Sequence, residues 1–108
     1  MIKIIFKTHQ DKIAGFYISG HAQFAEYGQD IVCAAVSVLS INTVNSIQEF
    51  TDTHFTCETS EKDGIINFLL SDMQDDKSQL LLRAMKLGLE SIRKQYTNKY
   101  IEIIFEEV

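Results

Sequence analysis

Residues 31–50 read IVCAAVSVLSINTVNSIQEF, and this stretch decides the fold because its apolar side chains recur at helical spacing in a chain without proline. Its first half is apolar nearly all round, which predicts a central and buried helix. Asp30 precedes it and is typical of an N-cap, since a carboxylate there accepts hydrogen bonds from free amides of the first turn. The sequence therefore predicts a helix from about residue 31 to residue 50.

Two short segments upstream of this helix alternate between apolar and polar residues, as strands do. The first covers residues 2–7, and the second covers residues 12–19, in which Phe16 and Ile18 share a face. A turn at residues 9–11 separates them, so we expect a β-hairpin. One face of the first strand should hold Ile2, Ile4 and Phe6.

A second hairpin, a second helix and a last strand are predicted downstream. Residues 53–60 and 64–70 flank Lys62-Asp63-Gly64, where glycine can adopt the positive φ of a tight turn. The helix covers residues 76–96, and Gly88 lies in its apolar stripe, where it would permit close approach to the sheet. That stripe contains Leu81, Met85, Ile92 and Tyr96, with Leu82 and Leu89 beside it. The strand covers residues 100–107, with Ile101, Ile103 and Phe105 pointing inward.

The predicted order is therefore ββαββαβ. Hairpins indicate a mixed or antiparallel sheet, and two helices packed on one face of a five-stranded sheet bury the apolar residues of both layers. We expect an α+β, two-layer fold with a five-stranded mixed sheet. A chain of 108 residues is expected to form a single domain over residues 1–108, since it is too short for two cores.

Charge and apolar composition limit the kinds of partner that the protein is expected to bind. The net charge is −5, and Lys and Arg form no dense basic patch of the kind that binds phosphates, so we expect no direct contact with nucleic acid. No run approaches the ~18 apolar residues of a membrane span, which predicts no membrane association. The apolar N-terminal stretch is too short for a signal peptide, so a cytoplasmic protein is expected.

The cysteines and histidines exclude several chemistries. Two cysteines are too few for a disulfide scaffold, and the absence of a CxxC pair disfavours a thiol redox protein. The three histidines, His9, His21 and His54, lack the spacings of metal ligands, so neither a metal nor another cofactor is expected. Cys57 falls in a predicted strand and is interpreted as a structural thiol.

Cys33 has two interpretations. A lone cysteine in an apolar helix is most often a small core residue. If Asp30 caps the helix, however, Cys33 lies in the first turn, where free amides and the helix dipole favour a thiolate. His21 follows Gly20 at the end of a predicted strand, and the loop from there to the helix would allow the imidazole to reach the thiol. Spacing permits this pair without proving it.

The segments GHA at 20–22, YG at 27–28 and DIVCAAVS at 30–37 closely resemble the signature of the Prp family of ribosomal-processing cysteine proteases. Chain length and the ββαββαβ order also fit that family. The resemblance implies a cysteine endopeptidase that removes the N-terminal extension of a large-subunit ribosomal protein by cutting after an aromatic residue. It also implies a homodimer.

The family's catalytic dyad falls on His21 and Cys33, and its motif positions include Gly20, Asp30 and Ser37. Asp30 is then either a cap or a group that orients His21 or substrate. Phe24 and Tyr27 in the loop would contact an aromatic substrate side chain or anchor the loop. A non-catalytic assembly or binding module on the ribosome, and a purely structural dimer, are the alternatives.

Overall fold

The computed structural model describes residues 1–20, 27–96 and 100–108, with only the backbone of residues 27–30. The elements follow the predicted order, and most ends agree with the prediction to within two residues. They are β1 (Ile2–His9), β2 (Lys12–Ser19), α1 (Tyr27–Phe50), β3 (Phe55–Ser60), β4 (Ile65–Leu70), α2 (Asp76–Gln95) and β5 (Ile101–Glu107).

The strands form one sheet in the order β3-β4-β2-β1-β5. β1 pairs parallel with β5, whereas β1–β2, β2–β4 and β3–β4 are antiparallel. Both hairpins and the mixed sheet are therefore confirmed. The two helices pack side by side on the sheet, so the predicted two-layer α+β fold is confirmed as well.

Rows of paired residues cross the helix-covered face of the sheet, and their members on the three middle strands build the core. The central row crosses all five strands and runs Phe105, Phe6, Phe16, Phe68 and Cys57. The rings of Phe16 and Phe68 stack with centroids 5.1 Å apart. Two residues along the strands, a second row runs Ile103, Ile4, Ile18, Ile66 and Thr59. The second row lies closer to the end of the sheet where β2 and β3 finish, and the active-site candidates lie there.

Two residues that the sequence suggested would be buried are exposed, and both lie on edge strands of the sheet. Phe105 shares a face with Ile101 as predicted, but it is 50% exposed. Cys57 lies in β3 as predicted, yet it is exposed rather than a buried structural thiol. Both residues stand on edge strands, where a neighbouring strand covers only one side.

The N-terminal half of α1 differs from the prediction in two ways. The helix begins at Tyr27, one turn early, so Asp30 lies inside the helix and cannot be its N-cap. The helix is also not buried all round. Its buried stripe consists of Val32, Val36, Ser40, Thr43 and Ile47, whereas Ile31, Val38 and Ile41 are exposed. A helix on the outside of a two-layer fold can bury only the face that meets the sheet and its neighbour.

α1 also corrects the expectation about membrane-spanning segments. Its part Ile31–Phe50, with a mean hydropathy of 1.5, is long and apolar enough to cross a membrane by length and composition. Serine, threonine and asparagine interrupt the apolar run there without adding charge, which is why counting consecutive apolar residues missed it. The core helix of a soluble protein meets the same criterion, and the buried stripe of α1 packs on this protein's own core.

α2 follows the prediction closely, with one correction. Asp75 is its N-cap and accepts a hydrogen bond from the Ser78 amide. Leu82, Met85 and Leu89 are fully buried. Gly88, by contrast, permits close approach to α1 rather than to the sheet, because a Cβ there would lie 2.6 Å from Cδ2 of Leu39.

Candidate active site

A cleft of about 470 Å³ opens between α1 and the end of the sheet. The sheet contributes residues where β2 and β3 end and where β1 and β4 begin, and the turn between β3 and β4 forms part of the wall. The lining is mostly apolar, and Glu61 in that turn is its one charged member among the described residues. The described lining comprises Ile2, Ile18, Gly20, Cys33, Ala34, Val36, Ser37, Ile41, Thr59, Ser60, Glu61, Gly64, Ile65 and Ile66.

Cys33 lines this cleft from the second turn of α1. It is a free thiol of intermediate exposure, packed against the core on one side and open to the cleft on the other. Its neighbour Val32 is fully buried, which fixes the rotation of the helix and so the direction of Cys33. Cys33 is therefore more than a core residue, because a substrate in the cleft would reach it.

Gly20 lines the same cleft from the end of β2. Its φ of +98° lies in the region that side-chain-bearing residues rarely adopt. A Cβ on Gly20 would also lie 2.5 Å from the carbonyl oxygen of Met1, closer than real Cβ atoms come. Both constraints require glycine here, so the motif glycine sets the path of the chain as it leaves β2.

The other predicted site residues divide into two groups. Ser37 lies one turn beyond Cys33, at the i, i+4 spacing, and lines the cleft. His21 and Phe24 lie outside the described residues, and Tyr27 and Asp30 belong to the first turn of α1, where only the backbone is described. The structure thus brings Gly20, Cys33 and Ser37 together. Whether His21 reaches the thiol stays a prediction.

The early start of α1 changes the electrostatic argument for Cys33. The amides without intrahelical partners belong to the first turn, beginning at Tyr27, and Cys33 lies in the next turn. Dipole effects fall off within the first turn, so they favour a thiolate at Cys33 less than the sequence suggested. Side chains in a helix lean toward its N-terminus, and this brings the sulfur part of the way back toward those amides.

Sequence inspection missed the far wall of the cleft. Thr59, Ser60 and Glu61 belong to a hairpin that held no chemical motif, and only the sheet order brings it opposite α1. Ile41 was also missed, although its spacing of two turns from Cys33 on one helix face was the available signal.

The second cysteine, Cys57, lacks the cleft environment of Cys33. Cys57 lies on edge strand β3 and does not line the cleft. Although its side chain is exposed, the protein atoms around the sulfur desolvate it in part, and this raises the pKa of its thiol. Raising the pKa leaves less of the nucleophilic thiolate at neutral pH. Among the residues that the structure describes, no group of three His, Cys, Asp or Glu side chains is placed to hold a metal ion.

A free thiol at the wall of an open cleft, on a two-layer α+β domain, fits the class of cysteine hydrolases. Comparison with known proteins is more specific. Residues 1–102 match the family model described as cysteine protease Prp. The chain therefore belongs to the Prp family of cysteine proteases.

Individual relatives agree with this assignment. The ribosomal processing cysteine protease Prp of Bacillus subtilis is 33% identical over 96 residues, which cover 85% of this chain and 86% of that protein. The crystal structure of Prp from Staphylococcus aureus in complex with a substrate peptide has a TM-score of 0.91, 28% identity and coverage of 98% and 100% of the two chains. The same enzyme with a covalently linked product peptide gives a TM-score of 0.88 at 29% identity, with the same coverage.

Proposed function

We propose that this protein is a cytoplasmic cysteine endopeptidase that removes the N-terminal extension of a large-subunit ribosomal protein, cutting after an aromatic residue. The position of Cys33, half-buried in the wall of a cleft of about 470 Å³, is the observation that carries the proposal. The relatives named for ribosomal processing supply the substrate class. In line with the family resemblance, the enzyme acts as a homodimer and needs no cofactor.

In the proposed reaction Cys33 is the nucleophile and His21 is the base. His21 takes the proton of the thiol, and the sulfur attacks the carbonyl carbon of the scissile peptide bond, giving a tetrahedral oxyanion. When the oxyanion collapses, the C–N bond breaks and His21 returns its proton to the leaving amine. A thioester remains on Cys33. Water, deprotonated by His21, attacks this thioester and releases the new C-terminal carboxylate and the free thiol.

Gly20 and Ser37 have supporting roles in this proposal. Gly20 sets the direction in which the chain enters His21, because no other residue fits its φ and its contact with Met1. Ser37 offers a hydroxyl to the peptide one helical turn from the sulfur. Asp30, Phe24 and Tyr27 remain candidates for orienting His21 or contacting the substrate.

The test is incubation of the protein with a peptide that copies the extended N-terminus of the ribosomal protein from the same organism. Mass spectrometry is expected to show one cut, after an aromatic residue. Cys33→Ala and His21→Ala should each abolish the cut, whereas the matched control Cys57→Ala should leave its rate unchanged. Cleavage that persists in Cys33→Ala, with folding verified by circular dichroism, would rule out the proposed nucleophile. Absence of cleavage by the unaltered protein would favour a non-catalytic ribosome-associated module.

A further inference from the structure

The cleft does not stop at the thiol. Cys33, Ser37 and Ile41 all line it, and they lie at i, i+4 and i+8 on one side of α1. With a rise of 1.5 Å per residue, Ile41 lies about 12 Å along the helix axis from Cys33. Along α1 the cleft is thus lined by the sulfur and, two turns away, by an apolar side chain.

Ile41 is suited to contact a ligand. It is 47% exposed, and it lines a cleft whose other lining residues are mostly apolar. No charged residue occurs in α1 between Ile31 and Gln48, so no charge on that helix opposes an apolar ligand there. A single exposed apolar residue is ordinary on a protein surface. Ile41 differs from exposed Val38 on the same helix because Val38 is not among the residues that line the cleft.

The occupant that these dimensions fit is an extended peptide. An extended chain advances about 3.3 Å per residue, so 12 Å corresponds to roughly three to four residues. An extended segment with its scissile carbonyl at Cys33 would therefore bring a side chain three to four residues away beside Ile41. The homologous protease from Staphylococcus aureus crystallised with a substrate peptide, so a peptide is the occupant we assign.

We propose that Ile41 forms a specificity subsite for an apolar side chain roughly three to four residues from the scissile bond. This inference rests on the proposed function, since it takes Cys33 as the point of attack. It adds a second apolar requirement to the aromatic residue at the cut. It also assigns selectivity to a residue outside the motif that surrounds the thiol.

The experiment compares Ile41→Ala with Val38→Ala, a matched control on the same helix. Each variant is assayed with the cleaved peptide and with a set in which every residue on both sides of the scissile bond is replaced in turn by alanine. For the unaltered enzyme, alanine at one apolar position three to four residues from the bond should lower kcat/KM about tenfold. Ile41→Ala should lower kcat/KM by a similar factor on the parent peptide, yet change little on the peptide already lacking that side chain. Val38→Ala should behave like the unaltered enzyme on every peptide.

Equal losses for Ile41→Ala on all peptides, or no loss on any, would overturn the subsite. A binding assay separates this outcome from failure of the proposed function. The assay uses Cys33→Ala protein, which cannot cleave, with and without the additional substitution Ile41→Ala. The Kd of each protein for the same peptides, fluorescently labelled, measures the contribution of the subsite to binding. A peptide that binds with the predicted dependence but is never cut by the unaltered protein supports the subsite and refutes the protease. The subsite is refuted, even if cleavage occurs, when neither Ile41→Ala nor alanine at the apolar peptide position alters the Kd. It is also refuted when no peptide binds.

Discussion

Gly20 and Cys33 line one cleft from different elements, Gly20 at the end of β2 and Cys33 in the second turn of α1. Gly20 is constrained by its positive φ and by the Met1 carbonyl, and Cys33 is constrained by the burial of Val32 and Val36 beside it. Gly20 and Cys33 are therefore both held in place by packing that has no direct part in the chemistry.

Gly20→Ala should damage both stability and cleavage. A Cβ at φ +98° would be strained and would lie 2.5 Å from the backbone carbonyl oxygen of Met1. Such strain costs about 1–3 kcal/mol of stability. It would also displace the chain that enters His21, so kcat/KM should fall at temperatures where the variant is still folded. Thermal unfolding and peptide cleavage measure the two effects.

Gly88→Ala is the control for that substitution. Its Cβ would meet Cδ2 of Leu39, the end of a flexible side chain, and alanine favours a helix over glycine by about 1 kcal/mol. We expect a small change in Tm and unchanged kcat/KM. A Gly20→Ala enzyme as active and as stable as Gly88→Ala would contradict the role assigned to Gly20.

The sequence predicted the elements well because each has a clear local signal. Alternation in β1 and β5 and the glycine of the β3–β4 turn both describe interactions within a few residues. The order of strands in the sheet has no such signal. For that reason the hairpin wall of the cleft and the partner of Gly88 became apparent only in three dimensions.

Burial was the other quantity that local pattern misjudged. Cys57 and Phe105 have inward positions in their strands, but both strands form sheet edges. Asp30 fits the N-cap preference, yet the helix extends one turn before it, since the preference at one position does not by itself decide where a helix begins. The structure brings Gly20, Cys33 and Ser37 to one cleft, and the end of β2 and the helical spacing of α1 account for this placement.

The Asp75 cap should make stability depend on pH in the acid range. Hydrogen bonds from the Ser78 hydroxyl, the Thr53 hydroxyl and the Ser78 amide lower the pKa of Asp75 to about 2. The unfolded chain would titrate near the ordinary aspartate value of about 3.9. Because the folded pKa is the lower one, this stabilisation is fully present above pH ~4 and is lost as the pH falls toward 2.

Asp75→Ala tests this dependence. At neutral pH its Tm should be roughly 4–8 °C below that of the unaltered protein, the effect of a lost N-cap in a domain of about this size. Measured by circular dichroism from pH 6 downward, the gap should stay constant above pH ~4 and narrow below it. Asp72→Ala is the control, since Asp72 accepts an exposed local hydrogen bond from the Gln74 amide. A gap that widens on acidification would contradict the assignment.

Two serines buried to the same extent should respond oppositely to the same substitution. Ser40 in α1 and Ser78 in α2 are both 0% exposed. The Oγ of Ser40 has no hydrogen-bond partner among the described residues, whereas the Oγ of Ser78 donates to Oδ2 of Asp75 at 2.6 Å. Ser40→Ala removes an unsatisfied buried group and should raise the free energy of unfolding by about 1 kcal/mol. Ser78→Ala removes a charge-assisted bond and should lower it. Urea unfolding of the two variants and the unaltered protein decides the matter, and destabilisation by both would show that Ser40 has a hydrogen-bond partner after all.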